Sequence, residues 1–266
     1  MKKATYLILP LISVIFLTAC QSNAGKDSSK KDPESELQVQ KQKITRNKKA
    51  WDEKVSDIKR IDVRTIGETS SYVFPQNLKE MKASKKPLIK GTVVNLEKMT
   101  NLNHLANTKA TVKIDAVLMG DKKLKNKTIT IVLSGGIVAA REYFNGMNLE
   151  SGKYNGVTVN PDSNQKLYIN DTDGPLPKIG SKIITDLSLN SYDKTDTGEF
   201  ATMLRSNDLK NNKSYLSGEP FTFWVKNTNS KKYVLNNENY RRLTENDVRY
   251  DFAVNFTKEI NQAYNK

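Results

Sequence analysis

The sequence predicts a mainly β domain of the α+β class, because two stretches alternate polar and apolar residues around a short turn and a third forms an amphipathic helix. Within residues 111–118, apolar side chains occupy every second position. A polar turn at Gly120-Asp121 follows, and residues 128–133 resume the alternation. A period of two on both sides of a turn predicts a long β-hairpin over 108–136.

Four further segments have the composition of strands, and they lie at 87–96, 181–189, 220–226 and 231–235. Gly91 in the first of them predicts a bend or a bulge. Asn227–Ser230 is expected to close a second hairpin. In the strand over 220–226, the alternation places Phe221, Phe223 and Val225 toward the core and leaves Trp224 on the outer face.

The better-defined helix prediction concerns the C-terminus, where Thr244 can cap a helix whose apolar positions recur every four residues. That stripe contains Val248, Phe252, Phe256 and Ile260. Because a stripe of this size requires a partner, we expect it to cover Trp224.

Two further helical patterns precede the predicted barrel strands. Residues 75–84 predict a short helix with Leu78 and Met81 on one face. Residues 36–58 have a looser helical spacing, and Trp51 is interpreted as the first residue of the folded part.

The N-terminus has the pattern of a secretory signal peptide. Lys2 and Lys3 precede a nearly uninterrupted apolar run over residues 4–17, which is too short to cross a ~30 Å hydrocarbon layer comfortably. Leu17-Thr18-Ala19-Cys20 resembles the lipobox of bacterial lipoproteins. That resemblance implies cleavage between Ala19 and Cys20 and attachment of a diacylglycerol to Cys20. The alternative is an ordinary signal peptide cut near Ala24, with Cys20 discarded.

The chain therefore divides into three predicted parts. Residues 1–19 form a lipoprotein signal peptide, residues 20–50 a lipidated cysteine with a flexible and partly helical tether, and residues 51–266 a single extracellular domain. Such a tether spans on the order of 30 Å as a random coil. Cys20 is the only cysteine, so the exported domain can contain neither a disulfide nor a cysteine-based metal site.

The order of motifs resembles a domain of uncharacterised secreted proteins and lipoproteins of Gram-positive bacteria. The resemblance rests on "LIKGTVVNL", "ATVKIDAVLMGDKKLKNKTITIVLSGG" and "LPKIGSKIITDL", and it covers residues 70–240. It implies a small OB-like β-barrel with insertions. Lys182-Ile183 stands where the family commonly has an aromatic residue. These motifs form a barrel rather than an active site, so they imply a fold and a location.

No catalytic residue, metal ligand or cofactor is predicted. His104 is the only histidine and lies in a polar loop without a nearby carboxylate to orient it. Asn170–Gly174 resembles part of a calcium loop but lacks an acid at the preceding position and a glutamate at the twelfth. The glycine pair in "LSGG" lacks the Lys-Ser/Thr pair of a phosphate-binding loop.

Net charge is the remaining functional signal. The whole chain has 43 basic and 29 acidic residues and a net charge of +14. Removal of the signal peptide with Lys2 and Lys3 leaves 41 basic residues and a net charge of +12. Residues 21–50 hold eight basic and four acidic residues, so +8 belongs to the folded part. The positive electrostatic potential of such a domain attracts anionic lipid headgroups and anionic wall polymers.

The stretch over 221–242 combines basic and aromatic residues. Lys231, Lys232, Arg241 and Arg242 are its candidate polyanion contacts. The alternative is that these four residues only keep the domain soluble. The expected partners are the membrane, through the lipid anchor, and an anionic wall polymer or an envelope protein; a nucleic acid is not expected.

The sequence thus favours a lipid-anchored protein on the extracellular face of the cell membrane that acts by non-covalent binding. Two alternatives are a substrate-binding lipoprotein of an ABC importer and an enzyme with an unrecognised site. The importer class has two α/β lobes, and the chain lacks the repeated strand-helix units that such lobes require.

Overall fold

A computed structural model describes residues 33–64, 74–101, 105–145, 147, 152–193, 195–218, 220–247 and 249–265. The strands in this part of the chain are β1 (Lys59–Val63), β2 (Leu88–Lys98), β3 (Asn107–Met119), β4 (Thr128–Ser134), β5 (Gly136–Ala139), β6 (Lys153–Tyr154), β7 (Val157–Thr158), β8 (Lys166–Asp171), β9 (Lys182–Leu189), β10 (Tyr215–Ser217), β11 (Phe223–Lys226) and β12 (Val234–Leu235). The α-helices are α1 (Pro33–Val55), α2 (Leu78–Ala83), α3 (Ala140–Tyr143), α4 (Glu199–Ser206) and α5 (Thr257–Tyr264).

Five strands form a closed barrel in the order β10-β4-β3-β2-β9, and β10 returns to pair with β9. β10 runs parallel to β4 and antiparallel to β9, while the other barrel pairs are antiparallel. β11 and β12 extend the sheet beyond β9. The prediction of a mainly β fold built on a small OB-like barrel, with insertions and a C-terminal helix, is confirmed.

The predicted hairpin is present as β3 and β4, and its apolar positions fill the barrel interior. Ile129, Ile131 and Leu133 all point into the core, as their spacing predicts. The alternation in β3 fails at one place: Val117, rather than Leu118, enters the core. A register shift between β2 and β3, beside Asp115, causes this change of phase. One unpaired residue moves every following side chain to the opposite face.

Gly91 lies at the same irregularity in β2, where the sequence predicts a bend or bulge. A Cβ atom there would come within 2.7 Å of Val112 Cγ1 and 2.9 Å of the Lys113 carbonyl oxygen. The close approach of β2 to β3 therefore requires glycine at this position.

A second, smaller sheet contains β1, β8 and β5, with β1 parallel to β8. Most of it comes from the long connection between β4 and β9, which is the main insertion in the barrel. Its own apolar cluster includes Ile61, Val138 and Leu167. Ile137 of β5 belongs instead to the barrel core, so the two sheets share a boundary.

Helix α1 packs one stripe of side chains against the barrel and exposes the rest. Trp51 is buried among the barrel residues, and Ile44 and Val55 pack partly against them. The Asn47 side chain donates to the Val94 carbonyl oxygen of β2 at 3.0 Å. Glu34 and Glu36 in the first turn complement the helix dipole.

The C-terminal helix covers the outer face of the barrel beside β11, as predicted. Trp224 is fully buried against Phe256, with ring centroids 4.9 Å apart, and its Nε1 donates to Thr257 Oγ1 at 3.0 Å. Phe252 and Ile260 complete this cluster.

Other details of this region differ from the prediction. The helix begins with a π-helical turn at Phe252–Phe256, while Thr244 opens a separate turn. Phe221 belongs to the outer cluster instead of the barrel core, because β11 starts only at Phe223. Pairing in the second hairpin is limited to two residues of β12. Val248, which the predicted stripe includes, lies outside the described residues.

We expect Phe256→Ala to lower the free energy of unfolding by about 3–5 kcal/mol, because it removes a buried ring from the Trp224 cluster. Val254→Ala is the matched control: Val254 is 42% exposed on the same helical turn, and its truncation should cost less than about 0.5 kcal/mol. Urea denaturation followed by circular dichroism measures both values. Equal losses in the two variants would contradict the packing of this helix.

Candidate functional site

The connection between β3 and β4 carries four lysines within six residues, Lys122 to Lys127. Its backbone is held in a defined turn, in which the Asp121 side chain accepts from the Lys123 N–H. The Ile114 N–H donates to the Lys127 carbonyl oxygen, and the Asn126 N–H donates to the Ile114 carbonyl oxygen. Leu124 anchors the turn by packing against the barrel core. The lysines therefore project from an ordered support.

Three of these lysines have amines directed to solvent. Lys123, Lys125 and Lys127 are exposed, and none of the ion pairs found within the described ranges includes them. Lys122 instead donates to the Val117 carbonyl oxygen at 2.8 Å. The tip of the β3–β4 hairpin, which we call the lysine turn, is therefore a concentrated source of positive potential.

Lys113 of β3 continues this positive surface along the barrel. Its amine donates to the Asn126 carbonyl oxygen in the lysine turn, and its backbone pairs with Thr128 across the hairpin. Lys109, further along β3, differs because Glu97 neutralises it at 3.0 Å. Positive charge is thus concentrated at the end of the hairpin that carries the turn.

A groove of about 460 Å³ lies beside Lys113, between the N-terminal half of α1 and strands β2, β3 and β4. The helix contributes Ser35, Glu36, Val39, Gln40 and Lys43, and the barrel contributes Val94, Thr111, Lys113 and Thr128. The groove lining therefore combines two lysines, one on each wall, with one carboxylate from Glu36, several hydroxyl and amide side chains, and two valines that offer apolar contact.

The position of α1 explains why this groove remains open. From Ile44 onward the helix is held by packing and by the Asn47 hydrogen bond. The preceding turns are exposed: Leu37 is 52% and Val39 64% accessible. The helix thus projects along the barrel surface without filling the space beneath its N-terminal half.

The four cations predicted from the sequence form two separate pairs. Asn265, just after α5, donates to the Lys231 carbonyl oxygen at 2.8 Å, which places Lys231 and Lys232 near the C-terminal end of that helix. Tyr240, next to Arg241 and Arg242, contacts Phe252 at its other end, with ring centroids 6.1 Å apart. These ends are the two ends of a helical segment of thirteen residues, Phe252–Phe256 followed by α5. Arg242 also has an acidic partner, Glu238, at 3.6 Å.

Arg241 borders a second cleft, of about 250 Å³, beside the π-helical turn. This cleft is largely apolar, and its lining comprises Val234, Leu235, Tyr240, Arg241, Leu243, Tyr250, Ala253, Val254 and Thr257. Burial raises the pKa of Tyr240, and the nearby Arg249 guanidinium opposes that rise. Arg241 is the one charged residue among the described residues that line this cleft, whereas two lysines and one glutamate line the groove.

The acidic loop over Asn170–Gly174 is a structural turn. The Asp171 side chain accepts from the Asp173 N–H at 3.0 Å, and Asn239 donates to Asp173 Oδ1 at 2.8 Å. Arg64 lies 3.7 Å from the same carboxylate oxygen. Within the described ranges, no group of three or more His, Cys, Asp or Glu residues is arranged to hold a metal ion. His104, Ala19 and Cys20 lie outside those ranges.

Comparisons with protein-family models, curated proteins and solved structures found no match for this chain. In the part of the chain that the structure describes, no helix combines the length and the apolar character needed to cross a membrane. The site must therefore be interpreted from its own geometry.

The lysine turn and the groove are the features that sequence reasoning missed. The signal for the turn was present in "KKLKNK", residues 122–127. The sequence instead favoured the stretch over 221–242 as the polyanion site, because that stretch combines cations with aromatic residues. In the structure, most of those aromatic side chains pack in the cluster beneath the C-terminal helix. The groove has no local signal, because α1 and β3 lie more than fifty residues apart in the chain.

The Arg249 side chain beside the second cleft is held by Asp247, which leads to a titration prediction. Arg249 donates to Asp247 from Nε at 2.8 Å, from Nη2 at 2.6 Å and from its backbone N–H at 2.8 Å. These bonds lower the pKa of Asp247 to about 2. Because the folded pKa is depressed, the stabilisation is present at neutral pH and is lost as the pH falls toward 2.

Carbon-detected NMR should therefore give a midpoint near pH 2 for the Asp247 carboxyl group. Arg249→Met should move the midpoint toward the ordinary value of 3.8, whereas the control Arg242→Met should leave it unchanged. A wild-type midpoint near 3.8 would show that the hydrogen bonds do not persist in solution.

Proposed function

We propose that this chain is a lipid-anchored protein of the cell envelope that binds anionic phosphate groups non-covalently at the outer face of the membrane. The observation that supports this most strongly is the lysine turn, where Lys123, Lys125 and Lys127 project from an ordered backbone without acidic partners in the described ranges. Positive charges on an ordered backbone attract anions. Binding then costs less conformational entropy, because no loop has to become ordered when the ligand arrives.

The proposed location follows from the N-terminal sequence. Leu17-Thr18-Ala19-Cys20 resembles a lipobox, and acylation of Cys20 would supply the two chains that stable anchoring requires. An anchor of this kind keeps the domain close to lipid headgroups and wall polymers. Weak electrostatic contacts then become effective, because the local concentration of anions is high.

The arrangement of charge supports binding at the hairpin end rather than along the whole barrel. Several other exposed or half-buried cations are neutralised at short range, as in the pairs Lys182–Asp115 at 2.8 Å and Lys109–Glu97 at 3.0 Å. Screening at physiological ionic strength limits each charge to a reach of about 8 Å. The lysine turn and Lys113 therefore act together, because the Lys113 amine reaches the Asn126 carbonyl oxygen within that turn.

The first prediction concerns the anchor. Cys20→Ala in the full chain should release the protein from the membrane fraction into the medium, or leave it uncleaved with an altered mobility, because no thiol remains for acylation. Fractionation of bacteria that express the wild type and the variant measures this. Retention of a signal-cleaved variant on the membrane to the same extent would place the anchor elsewhere.

The second prediction concerns the lysine turn. Changing Lys123, Lys125 and Lys127 to Gln should weaken binding to phosphatidylglycerol vesicles by about 3 kcal/mol at low salt, on the order of 100-fold, at ~1 kcal/mol per lysine near an anionic surface. A chain beginning at Gln21 suits this measurement, because it retains every described helix and strand. Co-sedimentation at two salt concentrations gives the affinities.

A matched control variant distinguishes the effect of the lysine turn on binding from the effect of net charge. Lys210, Lys213 and Lys258 are exposed in other parts of the fold, and their change to Gln removes the same total charge. This control should lose less than about tenfold in affinity. Equal losses in both triple variants would indicate attraction by overall charge alone, and absence of wild-type binding at low salt would remove the proposed function.

A further inference from the structure

We infer that the groove between α1 and strands β2, β3 and β4 is a binding site for a linear phosphodiester polymer of small polyols, such as a glycerol-phosphate chain. The inference rests on the proposed function and assigns its ligand class. The groove volume of about 460 Å³ falls within the ~300–1,000 Å³ typical of specific ligand sites.

The donors of the groove suit an anionic, hydroxyl-rich chain. Lys43 of α1 and Lys113 of β3 line the two walls and outnumber the one carboxylate of the lining, that of Glu36. The lining also includes the hydroxyl-bearing Thr111 and Thr128 and the amide-bearing Gln40. Ammonium groups pair with phosphate oxygens, while neutral hydroxyl and amide groups can donate to and accept from a polyol.

The described residues that line the groove carry no aromatic ring, which narrows the ligand class further. None of its nine lining residues is Phe, Tyr, Trp or His. Barrels that bind single-stranded nucleic acid gain much of their affinity by stacking bases on aromatic side chains. The apolar contacts that this groove offers are aliphatic, as from Val39 and Val94, which suits the methylene groups of an acyclic repeat better than a planar base.

The lysine turn extends the groove in the direction of the hairpin tip. Lys113 lines the groove and also donates to the Asn126 carbonyl oxygen. A chain that leaves the groove past Lys113 therefore reaches Lys125 and Lys127, the neighbours of Asn126. Successive phosphates of one polymer can engage both regions, so each contact raises the effective concentration for the next.

The test measures binding of a defined glycerol-phosphate oligomer to the full chain in a neutral detergent. Lys43→Gln with Lys113→Gln should weaken binding at least tenfold. Lys41→Gln with Lys48→Gln is the matched control, because both lysines are exposed on α1 and neither lines the groove. The control should weaken binding less than threefold. Isothermal titration calorimetry gives the dissociation constants.

A second variant tests the contribution of the groove without changing net charge and without removing the Lys113 contact to the lysine turn. Thr111→Val with Thr128→Val keeps net charge and strand propensity but removes two hydroxyl groups. We expect a threefold to tenfold loss for the glycerol-phosphate oligomer. An oligothymidylate with the same number of phosphates should bind the wild type at least tenfold more weakly than the oligomer does.

The outcomes distinguish this inference from the proposed function. Equal losses in the groove and control variants, unchanged binding in the threonine variant, or equal affinity for oligothymidylate would each overturn the groove assignment. Binding to phosphatidylglycerol vesicles without any binding to the oligomer would overturn the groove and leave the proposed function standing. Binding to neither would remove both.

Discussion

The rest of the structure depends on the hydrogen bonds of β10, which close the barrel. This three-residue strand pairs in parallel with β4 at Tyr215 and Leu216 and antiparallel with β9 at residues 187–189. Closure removes the free edges of β4 and β9, and it encloses apolar side chains from every barrel strand in one core. It also fixes which strand faces point outward, because alternate residues of a closed barrel must face solvent or another element.

Packing elements cover most of that outer surface. The C-terminal helix lies over β9, β11 and β12 through Phe252, Phe256 and Ile260. Helix α4 covers the side of β4 at Val132 with Met203 and Leu204. Helix α1 packs from Ile44 onward but projects freely before it. The region next to the lysine turn, beneath the projecting half of α1, is thus an outer face to which the fold gives amines, hydroxyl groups and an open groove instead of a packed cover.

The strand pattern could be predicted from the sequence wherever one face of a strand is buried. The alternation of Ile129, Ile131 and Leu133, and the outward position of Trp224, follow directly from a period of two. The bulge at Asp115 could not be predicted, because its cause is the pairing of β3 with β2 rather than any local composition. The groove was missed for a related reason: Lys43 and Lys113 meet only through tertiary packing. Charge counting over 221–242 grouped four cations, but Lys231 and Lys232 lie beside the C-terminal end of α5, whereas Arg241 and Arg242 lie near the π-helical turn.

The central claim is that the hairpin end beside α1, and not the surface around α5, receives the anionic ligand. Amide chemical-shift mapping during titration with a glycerol-phosphate oligomer tests this claim directly, because it reports on every assigned residue at once. The account predicts that the shift changes concentrate at residues 36–43, 111–113 and 123–128 and diminish as salt is added. Shift changes centred on residues 231–232 or 241–242, with none at the lysine turn, would contradict it.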